Sequence, residues 1–308
     1  MRHLFVVNPV AGKLRLDDKL KRVSAVISSL PDEVLSGSSF EVYVTKAPMD
    51  ACDKVKQAAE NEADLRVYAC GGDGTLNECV NGAAGLPNVA VTSWPIGTGN
   101  DFIRTFGKDQ KKFRDLASLI TGEIRKLDLI DCNGRMIINI SSVGVDARVA
   151  RDVHKYSHIP LVGGAAGYVI STAANYIKGL SSEMTVETEG MSCGPEINLV
   201  CACNGRFYGG GFNPVTDACP NDGLMDCLIV SGINRLSFIG AILGYAKGRY
   251  KRYPQYITHV RTKQLTIKAK NPEIINLDGE TMTGKHIVFH IVPEGINFIF
   301  PRGTTFFD

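Results

Sequence analysis

Three glycine-rich polar runs and one late acidic pair are the parts of this sequence whose residue types could do chemistry. The runs are Asn8-Pro9-Val10-Ala11-Gly12-Lys13, Gly71-Gly72-Asp73-Gly74-Thr75 and Gly97-Thr98-Gly99-Asn100-Asp101. Glycine pairs let a backbone turn sharply and approach a phosphate, so that successive amides and a following helix N-terminus meet its charge. Lys13 can neutralise more of that charge, and Asp73 can contact it through a magnesium ion, which favours oxygen ligands. Gly-Gly-Asp-Gly can also be simply a tight turn. The acidic pair is Asp278 and Glu280, within Leu277-Asp278-Gly279-Glu280. Carboxylates flanking a glycine could both face one cleft, where such a pair could position a hydroxyl and contact magnesium. The same Asp-Gly dipeptide also reads as a hairpin turn between Ile275 and Ile287.

Other chemistries fit poorly. The first run lacks Gly-x-Gly-x-x-Gly, and Lys13 follows one glycine and precedes Leu14, so neither a dinucleotide fingerprint nor a P-loop is present. His154 and His158 stand four apart, but no Glu follows His154 and no third ligand is evident. Cys193, Cys201 and Cys203 lack Cys-x-x-Cys spacing, and alternation along one strand explains the last two.

Elements that could position these residues follow from periodicity. Strands are expected at Leu4–Val7, Phe40–Thr45, Leu65–Ala69 and Val89–Ser93. Helices are expected at Asp17–Leu30, Asp50–Asn61, Leu76–Ala83 and Phe113–Thr121. This alternation implies a mostly parallel sheet covered on both faces. The three glycine runs follow three of its strands, where ligand crevices of open parallel sheets form. Past Lys126 the pattern changes. Leu127–Cys132 and Arg135–Ser141 flank Asn133-Gly134, a strong hairpin signal. Strand candidates follow at Met184–Glu189, Ile197–Cys203, Leu224–Val230, Gln264–Ala269, Ile274–Leu277 and Ile287–Val292, with helices at Gly163–Lys178 and Leu236–Lys247. The expected fold is α/β: a three-layer, Rossmann-like nucleotide domain over residues 1–127, then a β-rich domain of two packed antiparallel sheets over 128–294.

A chain of 308 residues can hold two such domains, and its net charge of +2 gives no support to nucleic-acid binding. Nor are its basic residues interleaved with stacking aromatics in a nucleic-acid motif. From Cys227 to Pro272 there are nine Lys or Arg and no Asp or Glu. Within it, Leu236, Phe238, Ile239, Ile242, Leu243 and Tyr245 read as an amphipathic helix beside Arg235, Lys247, Arg249, Lys251 and Arg252. Such a segment can settle on an anionic bilayer. A charge run is also, more plainly, a solvated face. The nine cysteines suit reduced thiols in a cytosolic protein. Met1-Arg2-His3 runs straight into a strand, with no leader pattern, and the apolar stretch Ile159–Ile177 is too polar to span a membrane.

Taken in order, the motifs resemble the diacylglycerol kinase catalytic-domain superfamily, and within it the bacterial lipid kinases. The resemblance is carried by Asn8-Pro9 with Gly12, by Gly71 through Glu78 with Asn81-Gly82, and by Pro95 with Gly97 through Phe102. Asn139 with Gly144, Asn204-Gly205-Arg206 with Gly209-Gly210-Gly211, Asp222-Gly223-Leu224 and Leu277 through Glu280 extend it. It implies ATP and Mg2+ as cofactors and a lipid hydroxyl as acceptor, diacylglycerol before other lipid alcohols. The nucleotide is implied to meet Asn8, Pro9, Gly12, Lys13, Thr45, Gly71, Gly72, Asp73, Gly74, Thr75, Glu78, Gly97, Thr98, Asn100 and Asp101. Catalysis falls to Asp278, as the base, with Glu280. Magnesium contacts fall to Asp73 and Asp101, with Asp128 and Asp222 at or near a second site in the Asn213–Gly223 loop. There the chain departs from the family, which has proline at the Thr216 position where this chain has Pro214 and Pro220 instead. The final segment, 295–308, is implied to return to the first domain, and Ile159–Ile177 to wall an acyl-chain cleft. The expected partners are a lipid substrate at the membrane surface and anionic phospholipid headgroups, with no nucleic acid and a homodimer left open. The expected location is cytoplasmic, peripheral to the inner face of the membrane. The rival readings are an NAD kinase and a non-catalytic lipid-binding protein on the same fold.

Overall fold

Burial on both faces is why the early strands are uninterrupted apolar runs: Leu4, Phe5, Val6 and Val7 have no exposed surface. The computed structural model describes residues 1–60, 63–156 and 179–308, the side chains at 153–156 and 239 excepted. The expected helix at Gly163–Lys178, the cleft wall at Ile159–Ile177, the His154/His158 pair and the end of the helix at Asn61 lie outside what is described. The chain divides into two compact units, Met1–Leu129 with Pro293–Asp308, and Ile130–Val292.

The first unit runs β1 (Arg2–Val7), α1 (Leu16–Ser28), α2 (Asp32–Ser36), β2 (Ser39–Val44), α3 (Asp50–Ala59), β3 (Leu65–Gly71), α4 (Asp73–Ala83), β4 (Val89–Pro95), α5 (Asp101–Arg104), α6 (Leu116–Ile120) and β5 (Glu123–Cys132), which continues into the second unit. The stretch expected as one helix at Phe113–Thr121 is split. A 3₁₀ turn covers Gly107–Arg114, and Asp115 leaves helical geometry to accept the Ser118 amide at 3.1 Å, capping α6. The strands pair in parallel in the order β2-β1-β3-β4. Asn297 and Phe298 then add a parallel pairing to β4 at Ala90 and Val91. Phe102, Phe106, Phe113, Phe298 and Phe300 pack together there, with ring centroids 5.0–6.4 Å apart.

The second unit adds β6 (Arg135–Ile137), β7 (Ile140–Gly144), α7 (Val145–Tyr156), β8 (Ser182–Thr188), β9 (Met191–Cys193), β10 (Glu196–Cys203), β11 (Met225–Ser231), α8 (Arg235–Tyr245), β12 (Ile257–Thr262), β13 (Gln264–Leu277) and β14 (Glu280–Phe300), whose end belongs to the first unit. Its described ladders are antiparallel. β10 pairs with β7, β7 with β13, β13 with β8, and β8 with β10 again. The hydrogen-bond circuit therefore closes into an antiparallel barrel core, with β9, β11 and β12 at its periphery.

The expected fold class is corrected on both counts. The parallel strands follow 2-1-3-4 rather than the Rossmann order, and the antiparallel strands form a closed core rather than two packed sheets. Periodicity identifies elements but not neighbours. The closure depends on β13, one strand of 14 residues with an irregular register between Lys268 and Glu273, where two strands were expected. That length lets it pair with β8 at one end and β7 at the other.

β10 shows how the second unit is packed. Val200 and Ala202 join one buried cluster with Ile267, Ile275 and Phe289. Leu199, Cys201 and Cys203 join another with Val145, Phe238 and Tyr245. Both faces are dry, so the strand reads as apolar throughout. Cys201 and Cys203 share a face with sulfurs 3.4 Å apart, and all nine cysteines are free thiols. Helix α7 and strands β9 and β12 were not expected. β12 carries Thr258, His259 and Arg261, which hide its alternation. Among the described residues, no helix is long and apolar enough to cross a membrane.

Candidate active site

The three glycine runs of the first unit touch one another. The Gly71 carbonyl accepts the amides of Ile96 at 3.1 Å and Gly97 at 2.8 Å. A Cβ on Gly97 would stand 2.4 Å from the Gly72 Cα, so any side chain there would force the second and third runs apart. Gly12, at φ +67°, presses on the third run, and a Cβ there would meet the Ile96 carbonyl oxygen at 1.9 Å. The close approach that glycine permits is thus used here, at the carboxyl ends of β1, β3 and β4.

Asp73 opens α4, and its carboxylate reaches the third run. Oδ2 accepts the Asp101 amide at 2.9 Å and Oδ1 the Phe102 amide at 3.1 Å, the first two of α5. Asp101 is buried, with Oδ1 paired to Arg104 at 3.0 Å. Asn100 is left-handed at φ 51° and donates to the Gly97 carbonyl at 2.8 Å. Asn8 donates its side-chain amide to Thr75 Oγ1 at 3.1 Å and accepts the Val10 amide at 3.1 Å, which binds the first run to the second. Thr45 donates its amide to the Val7 carbonyl at 3.0 Å, at the same end of the sheet. Pro9 is half-buried, while Lys13 and Thr98 are exposed. Glu78 accepts the Ala51 amide at 3.1 Å through Oε2, near the start of α3.

One member of this cluster was missed. Lys19 is fully buried on α1 and donates to the carbonyls of Asn8 and Pro9, both at 2.9 Å. Burial pulls its ammonium below the ordinary lysine range. Its signal was a lysine four residues before buried Val23, in line with the apolar stripe of the helix.

In the second unit, Asp278 and Gly279 form the two-residue turn of the β13–β14 hairpin, at φ 51° and 102°, with Leu277 opposite Glu280. The Asp278 carboxylate accepts three consecutive amides: Ile138 at 2.9 Å on Oδ2, then Asn139 at 3.1 Å and Ile140 at 2.9 Å on Oδ1. The hairpin and the held carboxylate are one feature. Buried asparagines brace the amide donors. Asn204 donates its side-chain amide to the Ile138 carbonyl at 2.8 Å, and Asn139 donates its own to the Phe207 carbonyl at 2.8 Å. Glu280 is exposed at the start of β14.

A model of the diacylglycerol kinase catalytic domain matches residues 2–132, and one of the YegS C-terminal, NAD kinase β-sandwich-like domain matches residues 139–300. The chain belongs to the diacylglycerol kinase superfamily. It is a phosphotransferase, an ATP-dependent enzyme of the lipid-kinase kind. A diacylglycerol kinase of Bacillus subtilis is 28% identical over 91% of this chain and 89% of its own. A diacylglycerol kinase of Staphylococcus epidermidis is 29% identical over 91% and 85%. A Shewanella frigidimarina protein named "Probable lipid kinase YegS-like" is 26% identical over 86% and 85%. The crystal structure of a diacylglycerol kinase from Bacillus anthracis shares the fold, with a TM-score of 0.71 at 21% identity over 99% of this chain and 98% of that one.

The family implies magnesium. Asp73 and Asp101 bring carboxylates, the oxygen donors a hard cation takes, to adjoining loops, where Asp73 accepts two backbone amides and Asp101 Oδ1 is paired to Arg104 at 3.0 Å. Among the described residues, no group of three His, Cys, Asp or Glu is arranged to hold a metal. At the Asn213–Gly223 loop the carboxylate is likewise engaged. Asp222 accepts the Leu224 amide at 3.1 Å and pairs with Arg261, whose Nε is also 3.5 Å from Asp226 Oδ1. A guanidinium already meets that charge. Asp128 belongs to the first unit, buried, with Oδ1 accepting the Glu294 amide at 2.9 Å.

Proposed function

We propose that this kinase transfers the γ-phosphoryl group of ATP to the hydroxyl of a membrane lipid, first among them diacylglycerol, giving phosphatidic acid. The observation that carries the reading is the meeting of the three glycine runs around Asp73 at the carboxyl ends of β1, β3 and β4. Phosphoryl transfer requires a protein to position the phosphates and balance their charge. Amides of Gly72–Gly74 and Thr98–Asn100 would line the phosphates, with Asn8 and Thr45 toward the rest of the nucleotide and Lys13 free to swing onto the charge. Asp73 and Asp101 would hold Mg2+, which supplies positive charge to the phosphate oxygens when bound. Asp278 would take the proton of the acceptor hydroxyl, its orientation held by the three amides, with Glu280 positioning that hydroxyl.

The relatives named as diacylglycerol kinases support the lipid acceptor, as does the acid-free basic stretch from Cys227 to Pro272. The deciding assay supplies ATP and Mg2+ with mixed micelles of candidate lipids, or with NAD, and reads products by mass spectrometry. Phosphatidic acid from diacylglycerol is expected. Conversion of NAD with no phosphorylated lipid would overturn the proposal.

A further inference from the structure

We infer that the outer face of α8 and the basic turn that follows it form a docking surface for an anionic bilayer. The inference deepens the lipid-kinase reading, because it names the surface that would bring the enzyme to its substrate.

The expected helix here was amphipathic, and the structure shows a different design. Phe238, Ala241 and Tyr245 are buried in the core. A second face is covered by the chain that follows: Tyr256 Oη lies 3.2 Å from Ser237 Oγ, and Tyr253 Oη donates to the Gly240 carbonyl at 2.9 Å. The Tyr253 ring sits where a Cβ on Gly244 would stand, 2.5 Å from Cε2. Among the described side chains, what remains outward after Arg235 is apolar as well. Leu236 is 90% exposed and Leu243 is 62% exposed. Seven residues apart, they stand on one stripe about 10 Å long. Single exposed leucines need no explanation, but two in register on one helix do.

The charges beside the stripe sort themselves by partner. Lys268 and Lys270 are paired with Glu187 and Glu183 at 2.8 and 2.7 Å, and Arg261 with Asp222. Lys247, Arg249, Lys251 and Arg252 have no acidic partner among the described residues and are exposed. Arg249 donates its amide to the Gly244 carbonyl at 2.8 Å, so the turn starts directly at the end of the helix. Tyr253 and Tyr256 then fold the following chain back along α8. Four uncompensated cations thus adjoin two exposed leucines. Apolar insertion combined with cation attraction to anionic headgroups is the two-part pattern of interfacial binding. The plainer role for these cations is to favour the helix C-terminus, where positive charge is stabilising. That role leaves the leucines unexplained.

The test uses the full chain without ATP and measures cosedimentation with phosphatidylcholine vesicles, with and without about a third phosphatidylglycerol. Binding to the anionic vesicles alone, released by high salt, is expected. Leu236→Gln with Leu243→Gln, and separately Lys251→Glu with Arg252→Glu, should each weaken that binding at least tenfold. Turnover of a short-chain diacylglycerol dispersed below its aggregation limit should be unchanged in the leucine pair, which separates failure of docking from failure of the kinase reading. Undiminished vesicle binding in both pairs overturns the inference. So does a leucine pair that changes the association state in solution, since the stripe would then serve a second copy of the chain. A charge pair that lowers only the melting temperature assigns those cations to the helix end and equally overturns it.

Discussion

Asp73 in the first unit and Asp278 in the second both give their two carboxylate oxygens to backbone amides, yet opposite kinds of structure supply those amides. Around Asp73 they are the first turn of a short helix, delivered by a loop that reaches β3 only because glycines let it close. Around Asp278 they are three successive residues leading into β7, held by buried asparagines. Asp73 sits in ordinary helical backbone, whereas Asp278 is left-handed, a conformation that costs non-glycine residues roughly 1 kcal/mol. A parallel sheet orients a carboxylate by bringing loops to one edge. An antiparallel hairpin does so by strain balanced against hydrogen bonds. The first arrangement should fail when a loop is pushed, the second when a hydrogen-bond partner is removed.

The largest effect is expected at Asp278. Asp278→Asn removes the proposed base and turns an amide donor toward the N–H of Ile138 or of Asn139 and Ile140. Turnover should fall by about 10³-fold or more, with stability lower by roughly 1–3 kcal/mol. Glu280→Gln should cost turnover but no stability, because Glu280 is exposed. Lipid-product assays and thermal melts separate the two. Equal loss of stability in both variants would break the contrast.

Gly97→Val comes next. With Gly72 Cα only 2.4 Å from the new Cβ, the runs must separate, at a cost of roughly 2–4 kcal/mol and with loss of ATP binding. Gly74→Ala is the control, since a Cβ there meets nothing within 4 Å and lies in a helix. That change should leave stability equal or slightly raised. Urea melts and nucleotide titration check both.

Acid should weaken the first unit through His3. Its ring is buried, bonded to Tyr68 Oη at 2.8 Å and stacked on Phe40, and its pKa is lowered to about 4 by burial first and then by Arg66. The fold prefers the neutral ring, while the unfolded chain takes up a proton near pH 6.5. Stability is therefore full above pH 6.5 and falls as pH drops toward 4, by at most roughly 3 kcal/mol. Denaturant melts across that range should show the slope in the native protein and lose most of it in His3→Phe.

The smallest effect is expected at Asn204. Asn204→Ala removes the donor to the Ile138 carbonyl and should cost about 1–2 kcal/mol and several-fold in turnover. Turnover should fall without a change in apparent ATP affinity, because no nucleotide contact is proposed for this residue. A change in ATP affinity alone would place Asn204 on the other side of the comparison.

Much of the site was legible because glycine, aspartate and asparagine are scarce choices in strand-end loops, and their order matched a family. The contact made by Glu78 was not legible: a glutamate one turn into α4 can meet several neighbours, and only packing brought it to the Ala51 amide. The same holds for Lys19, whose burial contradicts its residue type and is resolved only by two carbonyls from another segment. The helix expected at Leu236–Lys247 was read as amphipathic. Its exposed leucines came to light only once Tyr253 and Tyr256 were seen to occupy another side.

What the residue order determined by itself was local: strand and helix periods, the Asn133-Gly134 and Asp278-Gly279 turns, and the loops able to approach phosphate. These depend on backbone preferences and on neighbours a few positions away. Strand neighbours, ring closure through β13 and β8, and the partners of each charge were decided only by tertiary structure. Those depend on which distant surfaces exclude water together, and a chain of alternating apolar residues is compatible with many such pairings before it folds.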